Sequence, residues 1–138
     1  MEQEKALLAA KELLVKTQLI NLATVDTTGA PEVRMMLNGG TEGLDLWMIT
    51  NASSSKMEHI GNDPRVCIFA ADAEKLRGLK VCGEMEVIED MAVKEKVWKE
   101  EWRQWYADGP ADSEFVLMKL HAKRFVYSDG MDYTNGEL

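Results

Sequence analysis

Leu19-Ile20-Asn21-Leu22-Ala23-Thr24-Val25-Asp26, then Thr27-Thr28-Gly29-Ala30-Pro31, then Glu32-Val33-Arg34-Met35-Met36-Leu37-Asn38, is the stretch whose reading decides the fold. The first segment is a strand whose apolar content comes from Leu19, Ile20, Leu22 and Val25. Thr27–Pro31 carries the Gly and Pro of a turn. Glu32–Asn38 is then a second strand and the hairpin partner of the first. Working outward, Asn38–Gly43 is the next turn and Leu44–Thr50 a third strand. Ser55–Gly61 reads as a short helix, with Ser55 and Glu58 at capping-box spacing and Asp63-Pro64 as its end. Arg65–Ala71 and Leu76–Ile88 are further strands, the longer one bent at Gly78 and Gly83. Phe115–His121 and Arg124–Tyr127 complete the set. On the helical side, Glu4–Lys16 repeats apolar residues at Leu7, Ala10, Leu13 and Leu14. Met91–Tyr106 does so at Val93, Val97, Trp98, Trp102, Trp105 and Tyr106, and Asp108-Gly109-Pro110 stops it. The tail Met131–Leu138 is polar and expected to be loose. The reading is a single domain over 1–138, mainly β, an antiparallel barrel with helical additions.

The bulk properties bound the function. The chain has 138 residues and a net charge of −8, with 46% hydrophobic and 29% charged residues. That balance is ordinary for a globular domain. An acidic chain is poorly suited to nucleic acid or anionic membrane surfaces, since both need basic surface. The longest apolar run, Val66–Ala71, is far below the ~20 residues of a membrane helix. The acidic, amphipathic start differs from a secretory signal, so the expected location is cytoplasmic. Cys67 and Cys82 have neither metal nor redox-motif spacing and lie in apolar stretches, so buried thiols are expected. A disulfide would be unusual in a reducing compartment.

Against this acidic background, basic residues are conspicuous. Between Lys16 and Lys75 the chain carries only Arg34, Lys56 and Arg65, beside eight acidic residues. Thr50-Asn51-Ala52-Ser53-Ser54-Ser55-Lys56 leaves a strand, crosses a hydroxyl-rich turn and enters a helix. Free backbone N–H groups, serine hydroxyls and an ammonium suit a phosphate monoester. An ordinary helix cap with a solvated lysine fits the same residues. Arg34 sits in an apolar strand and shares a face with Met36. It either points to solvent or meets an anion, and a guanidinium suits bidentate phosphate contact. Trp98, Trp102 and Trp105 form a stripe that is either core or an exposed face for a partner subunit or a flat ring. His59 reads as a helix-surface residue and His121 as a strand end, neither with metal-type companions. No Ser-His-Asp or Cys-His set and no G-x-G-x-x-G is present.

The order of these pieces resembles the FMN-binding split β-barrel family, which includes pyridoxamine 5'-phosphate oxidase and the bacterial general stress protein type. The matching pieces are Ala23–Pro31, Arg34-Met35-Met36, Trp47-Met48-Ile49-Thr50-Asn51, Ser54-Ser55-Lys56, Ile60 and Asn62-Asp63-Pro64-Arg65-Val66. Gly83-Glu84-Met85-Glu86-Val87 matches a barrel strand. Trp105-Tyr106 with Gly109-Pro110 is similar to the W-F-P-x-G stretch of the stress-protein branch. The likeness spans roughly residues 18–129. It implies a split barrel with flanking helices, a homodimer, and FMN in a groove between subunits. It assigns Arg34, Ser54 and Lys56 to the phosphate. Met35, Met36, Ile49, Thr50 and Asn51 would line the flavin or its ribityl chain, and Trp105 would come from the partner subunit. Where the oxidases carry R-Q-V, this chain has Arg77-Gly78-Leu79, and nothing after Arg124 is basic. The stress-protein branch is therefore the better match, and oxidation of a vitamin B6 phosphate is not implied.

The expected function is a flavin-dependent oxidoreductase in which FMN does the redox chemistry. The alternatives are a flavin carrier or stress-linked sensor without turnover, a barrel for deazaflavin or haem, and a dimeric interaction module with an empty groove.

Overall fold

A computed structural model describes residues 1–138. Helix α1 (Gln3–Lys16) is followed by β1 (Leu19–Val25), β2 (Pro31–Leu37), a two-residue β3 (Thr41–Glu42) and β4 (Asp45–Asn51). Next come α2 (Lys56–Asn62), β5 (Arg65–Asp72), β6 (Arg77–Ile88) and α3 (Met91–Val97). Short 3-10 turns at Glu100–Gln104 and Gly109–Ala111 lead to β7 (Phe115–Asp129) and β8 (Asp132–Glu137). The strands form one eight-stranded antiparallel sheet in the order β2-β1-β5-β6-β7-β4-β3, with β8 also on β7. The sheet curls without closing. This is a split barrel, and its open seam lies between β2 and β4.

The alternation that marked β1 as a strand also sets its inner face. Ile20, Leu22 and Thr24 are buried, while their neighbours face outward. The expected hairpin to β2 forms, with Leu22 opposite Arg34 and Ile20 opposite Met36. Arg34 and Met36 therefore share the inner face at the sheet's edge. The turn between the strands is fixed by Asp26, whose carboxylate accepts from the Thr28 and Ala30 amides and the Thr28 hydroxyl. Ala6, Ala10 and Leu14 of α1 cap the main core, which contains Leu22, Ile68, Leu79, Val81 and Phe125. A second aromatic core gathers Ile49, Trp102, Tyr106, Phe115 and Leu117.

Several expectations are corrected. Met91–Tyr106 is not one helix. Regular helix ends at Val97, Trp98 adopts extended backbone (ψ 138°), and the chain resumes as a 3-10 turn. The break lets Trp98 pack edge-on against both Trp102 and Phe115, at 5.8 and 5.0 Å, a geometry that aromatic quadrupoles favour. The tryptophans consequently do not form a stripe: Trp102 is buried, Trp98 half-buried and Trp105 exposed. The two last strands are one, since β7 runs unbroken through His121–Arg124. The tail is not loose: after a turn at Gly130 (φ 62°), β8 pairs with β7 from Asp129↔Asp132 to Arg124↔Glu137. Gln3 and the N-terminal amine bind Asn135 O and Asp132, tying α1 to that strand. Finally, Cys67 and Cys82 are joined as a disulfide, because the β5–β6 register places them directly opposite each other.

The two bend glycines behave differently. At Gly83 the ladder shifts register, and a Cβ there would lie 1.9 Å from the His121 carbonyl oxygen. Gly78 sits in regular ladder with the Phe69 ring and Ser128 hydroxyl against it. The Ser55–Glu58 capping box does not form either: Ser55 is already in helical conformation and makes no side-chain cap. The Ser54 hydroxyl instead faces the Lys56 amide at 3.4 Å.

Candidate functional site: a cationic cleft at the barrel seam

The seam between β2 and β4 opens into a cleft of about 470 Å³ lined by Met35, Met36, Leu37, Ile49, Thr50, Asn51, Lys56, Trp105 and Tyr106. Of the residues singled out in the sequence, Met35, Met36, Ile49, Thr50, Asn51, Lys56 and Trp105 meet here. Each β strand supplies them by its register, and α2 delivers Lys56 from its first turn. Met35 points outward and is mostly exposed, whereas Met36 is buried, as alternation requires. Trp105 belongs to the same chain as the rest of this wall and stands exposed at its edge.

Lys56 is the centre of the polar end. Its Nζ donates to Thr50 Oγ1 at 2.7 Å and to Ser54 Oγ at 2.6 Å. Ser54 thus joins the site through the lysine rather than by lining the cleft. Arg34 lies behind it on β2. Its Nη1 donates to Thr24 Oγ1 at 2.7 Å and, more weakly, to Leu22 O at 3.3 Å. Its Nη2 lies 3.5 Å from His59 Nδ1, which also faces Thr24 Oγ1 at 3.1 Å. Arginine only donates, so this cluster is satisfied when His59 carries its proton on Nε2.

Neither cation has a carboxylate partner: none of the ion pairs involves Arg34 or Lys56. Burial holds the Lys56 ammonium below its usual pKa, and the neighbouring Arg34 charge pushes it the same way. Burial also lowers Arg34, with Glu32 opposing. Two like charges, half-buried, with no ion pair and only the more distant Glu32 acting on Arg34, are an electrostatic cost that a bound anion would reduce. At the far end of the cleft the buried Tyr106 phenol donates to Asn51 Oδ1 at 2.7 Å, fixing that amide. Desolvation raises the Tyr106 pKa, helped by Glu114 and Asp112, so the hydroxyl stays a donor.

Sequence reasoning missed His59 and Tyr106. His59 lies one helical turn after Lys56 and beside the buried Ile60, so the helix period already placed it inward. Tyr106 was assigned to a helix that breaks before reaching it.

These features define a split antiparallel barrel with two half-buried cations, Arg34 and Lys56, beside its seam. The chain belongs to the pyridoxamine 5'-phosphate oxidase-like family, whose model matches residues 7–132. No curated protein matches it. Among solved structures, it is similar to a protein from Clostridium acetobutylicum related to general stress protein 26 of B. subtilis, of the pyridoxinephosphate oxidase family. The two share 24% identity over 99% of this chain and 97% of that one, with a TM-score of 0.90. General stress protein 26 from Bacillus anthracis is 22% identical over the full length of both chains, with a TM-score of 0.79. A heme binding protein from Mycobacterium smegmatis is 18% identical, matched over 96% of this chain and 57% of its own, with a TM-score of 0.80.

Proposed function

We propose that the chain binds FMN in the β2–β4 cleft and works as a flavin-dependent oxidoreductase of the general stress protein type. The observation that carries this reading is that Arg34 and Lys56 are both half-buried and neither is in an ion pair. A phosphate monoester supplies the missing charge, with Ser54 and Thr50 orienting the lysine toward it. Met36 and Ile49 offer the apolar wall that a flat ring needs, and Asn51, held by Tyr106, offers an amide to its polar edge. Bound FMN would supply hydride and electron transfer, and the protein's part is to hold and orient it. No side chain of the cleft need act as acid or base.

Haem is the less favoured occupant. The Nδ1 of His59 is engaged with Thr24 and Arg34, and His121 lies on β7 against Glu86 at 2.8 Å, outside the cleft lining. The cleft is open on one side, with Met35 and Trp105 exposed at its edge. A second copy covering that edge would complete the groove, so the working form is a homodimer. The direct test is the absorbance spectrum of untreated protein with mass analysis of the released ligand. A flavin spectrum and the mass of FMN are expected; a Soret band, or a protein that neither carries nor takes up FMN, overturns the reading. Reduction by a nicotinamide donor followed by reoxidation separates the enzyme from a flavin carrier or sensor. A stable monomer in sedimentation contradicts the shared groove.

A further inference from the structure

Away from the seam, the disulfide forms the floor of a second cleft. Cys67 and Cys82 lie opposite each other on β5 and β6, while Val66, Ile68 and Val81 beside them turn into the core. Both sulfurs therefore belong to the outer face of the sheet. A cleft of about 470 Å³ opens over them, lined in part by Arg65, Glu84, Lys123 and Arg124. Cys67 is half-buried and Cys82 is 2% exposed, so one sulfur is the more approachable.

The charge around the bridge comes from the bulge. Gly83 packs against the His121 carbonyl, the register shifts, and Cys82 pairs with Arg124 while Gly83 pairs with Ala122. Lys123 is the extra residue, and both it and Arg124 are exposed. Arg65 is held by Asp63 at 2.7 Å and Lys123 by Glu84 at 3.4 Å. Arg124, in register with Cys82 on one side and Glu137 on the other, is in no ion pair. An unpaired guanidinium opposite a buried cysteine stabilises that sulfur as a thiolate.

We propose that the Cys67–Cys82 bridge is a thiol–disulfide exchange site for a small anionic thiol. Cys67 is the sulfur attacked, and Cys82 leaves as the thiolate. The incoming thiolate bonds to Cys67 Sγ, the S–S bond breaks, and its electron pair goes to Cys82 Sγ beside Arg124. A second thiolate then attacks the small thiol's sulfur in the mixed disulfide. That releases Cys67 as a thiolate and a small-molecule disulfide. Two thiols are oxidised, the bridge gains two electrons, and the protons lost by the thiols end on the two cysteines. The barrel tolerates the opening because β5 and β6 stay paired from Arg65↔Glu84 to Asp72↔Arg77.

The test uses the native, unreduced protein with reduced glutathione as probe. Intact mass and thiol titration should show one bridge per chain that opens in the folded state to two free thiols. Cys82→Ser treated with glutathione disulfide should take one adduct, mapped to Cys67. Arg124→Gln should slow opening of the wild-type bridge, by roughly threefold for each unit that its loss raises the pKa of the departing thiol. Lys5→Gln, on the remote α1, should react at the wild-type rate. Free thiols in the unreduced protein, a bridge that opens only on unfolding, or an unchanged Arg124→Gln rate would each overturn the proposal.

Discussion

Lys56→Met separates what the lysine does for the fold from what it does for a ligand. Its Nζ gives up hydrogen bonds to Thr50 and Ser54 at 2.7 and 2.6 Å. Each contributes about 0.5–1.5 kcal/mol net, more for a charged donor. Against that, the substitution ends the burial of an ammonium and its repulsion from Arg34, the two causes that lower its pKa. The opposing contributions are similar in size, so ligand-free stability should change by less than about 1 kcal/mol, or roughly 4 °C in Tm. The sign with pH follows from linkage. The unfolded chain holds the Lys56 proton more tightly than the folded one. The charged lysine therefore costs stability below its folded pKa, and the cost disappears above the unfolded value of about 10.4. Any gain in the variant is thus present at neutral pH and lost above that range. FMN binding behaves differently. Losing a charge-assisted contact to phosphate costs about 1.5–3 kcal/mol, or roughly 10- to 150-fold in Kd. Riboflavin, which lacks the phosphate, should bind variant and wild type alike. Flavin fluorescence titrations with both ligands, beside thermal melts, read all of this. A variant that loses more than about 2 kcal/mol of stability while keeping its FMN affinity, or whose riboflavin binding falls equally, would refute this role for Lys56.

Other consequences can be checked independently. Gly83→Ala places a methyl 1.9 Å from the His121 carbonyl oxygen, so β7 must yield by more than about 1 Å. Overpacking of this kind costs about 1–3 kcal/mol, and urea unfolding should show it. Trp102→Ala empties the aromatic core, where Trp102 is 1% exposed, and should cost about 3–5 kcal/mol in the same assay. The Arg65 guanidinium and amide beside Asp63 hold its carboxyl at about 2. A carboxylate with a lowered folded pKa adds stability above its unfolded value and loses it as pH falls through the folded one. Carboxyl-carbon NMR should show Asp63 titrating at about 2 in the wild type and higher in Arg65→Gln, though still below the usual carboxylate range because the residue-65 amide keeps its contact.

The strands around the seam were legible because each alternates cleanly and ends in turn chemistry. Ile20, Leu22 and Thr24 point in, Asp26 caps the turn, and the register that puts Arg34 opposite Leu22 follows. The β8 strand was not, because Asp-Tyr-Thr-Asn-Gly-Glu has no apolar alternation. Its partner β7 and the Gly130 turn supply the pairing. The helix over Met91–Tyr106 was overread because Trp98 and Trp102 at i, i+4 satisfy helical spacing. The backbone break at Trp98 serves an edge contact with Phe115, distant in sequence, while Trp98 and Trp102 stay packed edge-on. The disulfide follows from one fact the spacing of the cysteines does not contain, the centre of the β5–β6 turn. With Asp72 opposite Arg77, Cys67 must meet Cys82. Most residues that the family resemblance assigned to one site do lie together along the seam, but how they touch one another was not legible. Ser54 meets Lys56 through a local contact two residues away, and His59 buttresses Arg34 only because α2 packs against β1.

The central claim is that Arg34 and Lys56 form a phosphate site for a flavin. It is tested most directly by titrating the wild-type protein with FMN and with riboflavin under identical conditions. FMN should bind tighter by at least about 100-fold, the combined worth of two charge-assisted contacts of roughly 1.5 kcal/mol or more each. Equal affinities for the two, or no binding of either, would contradict it.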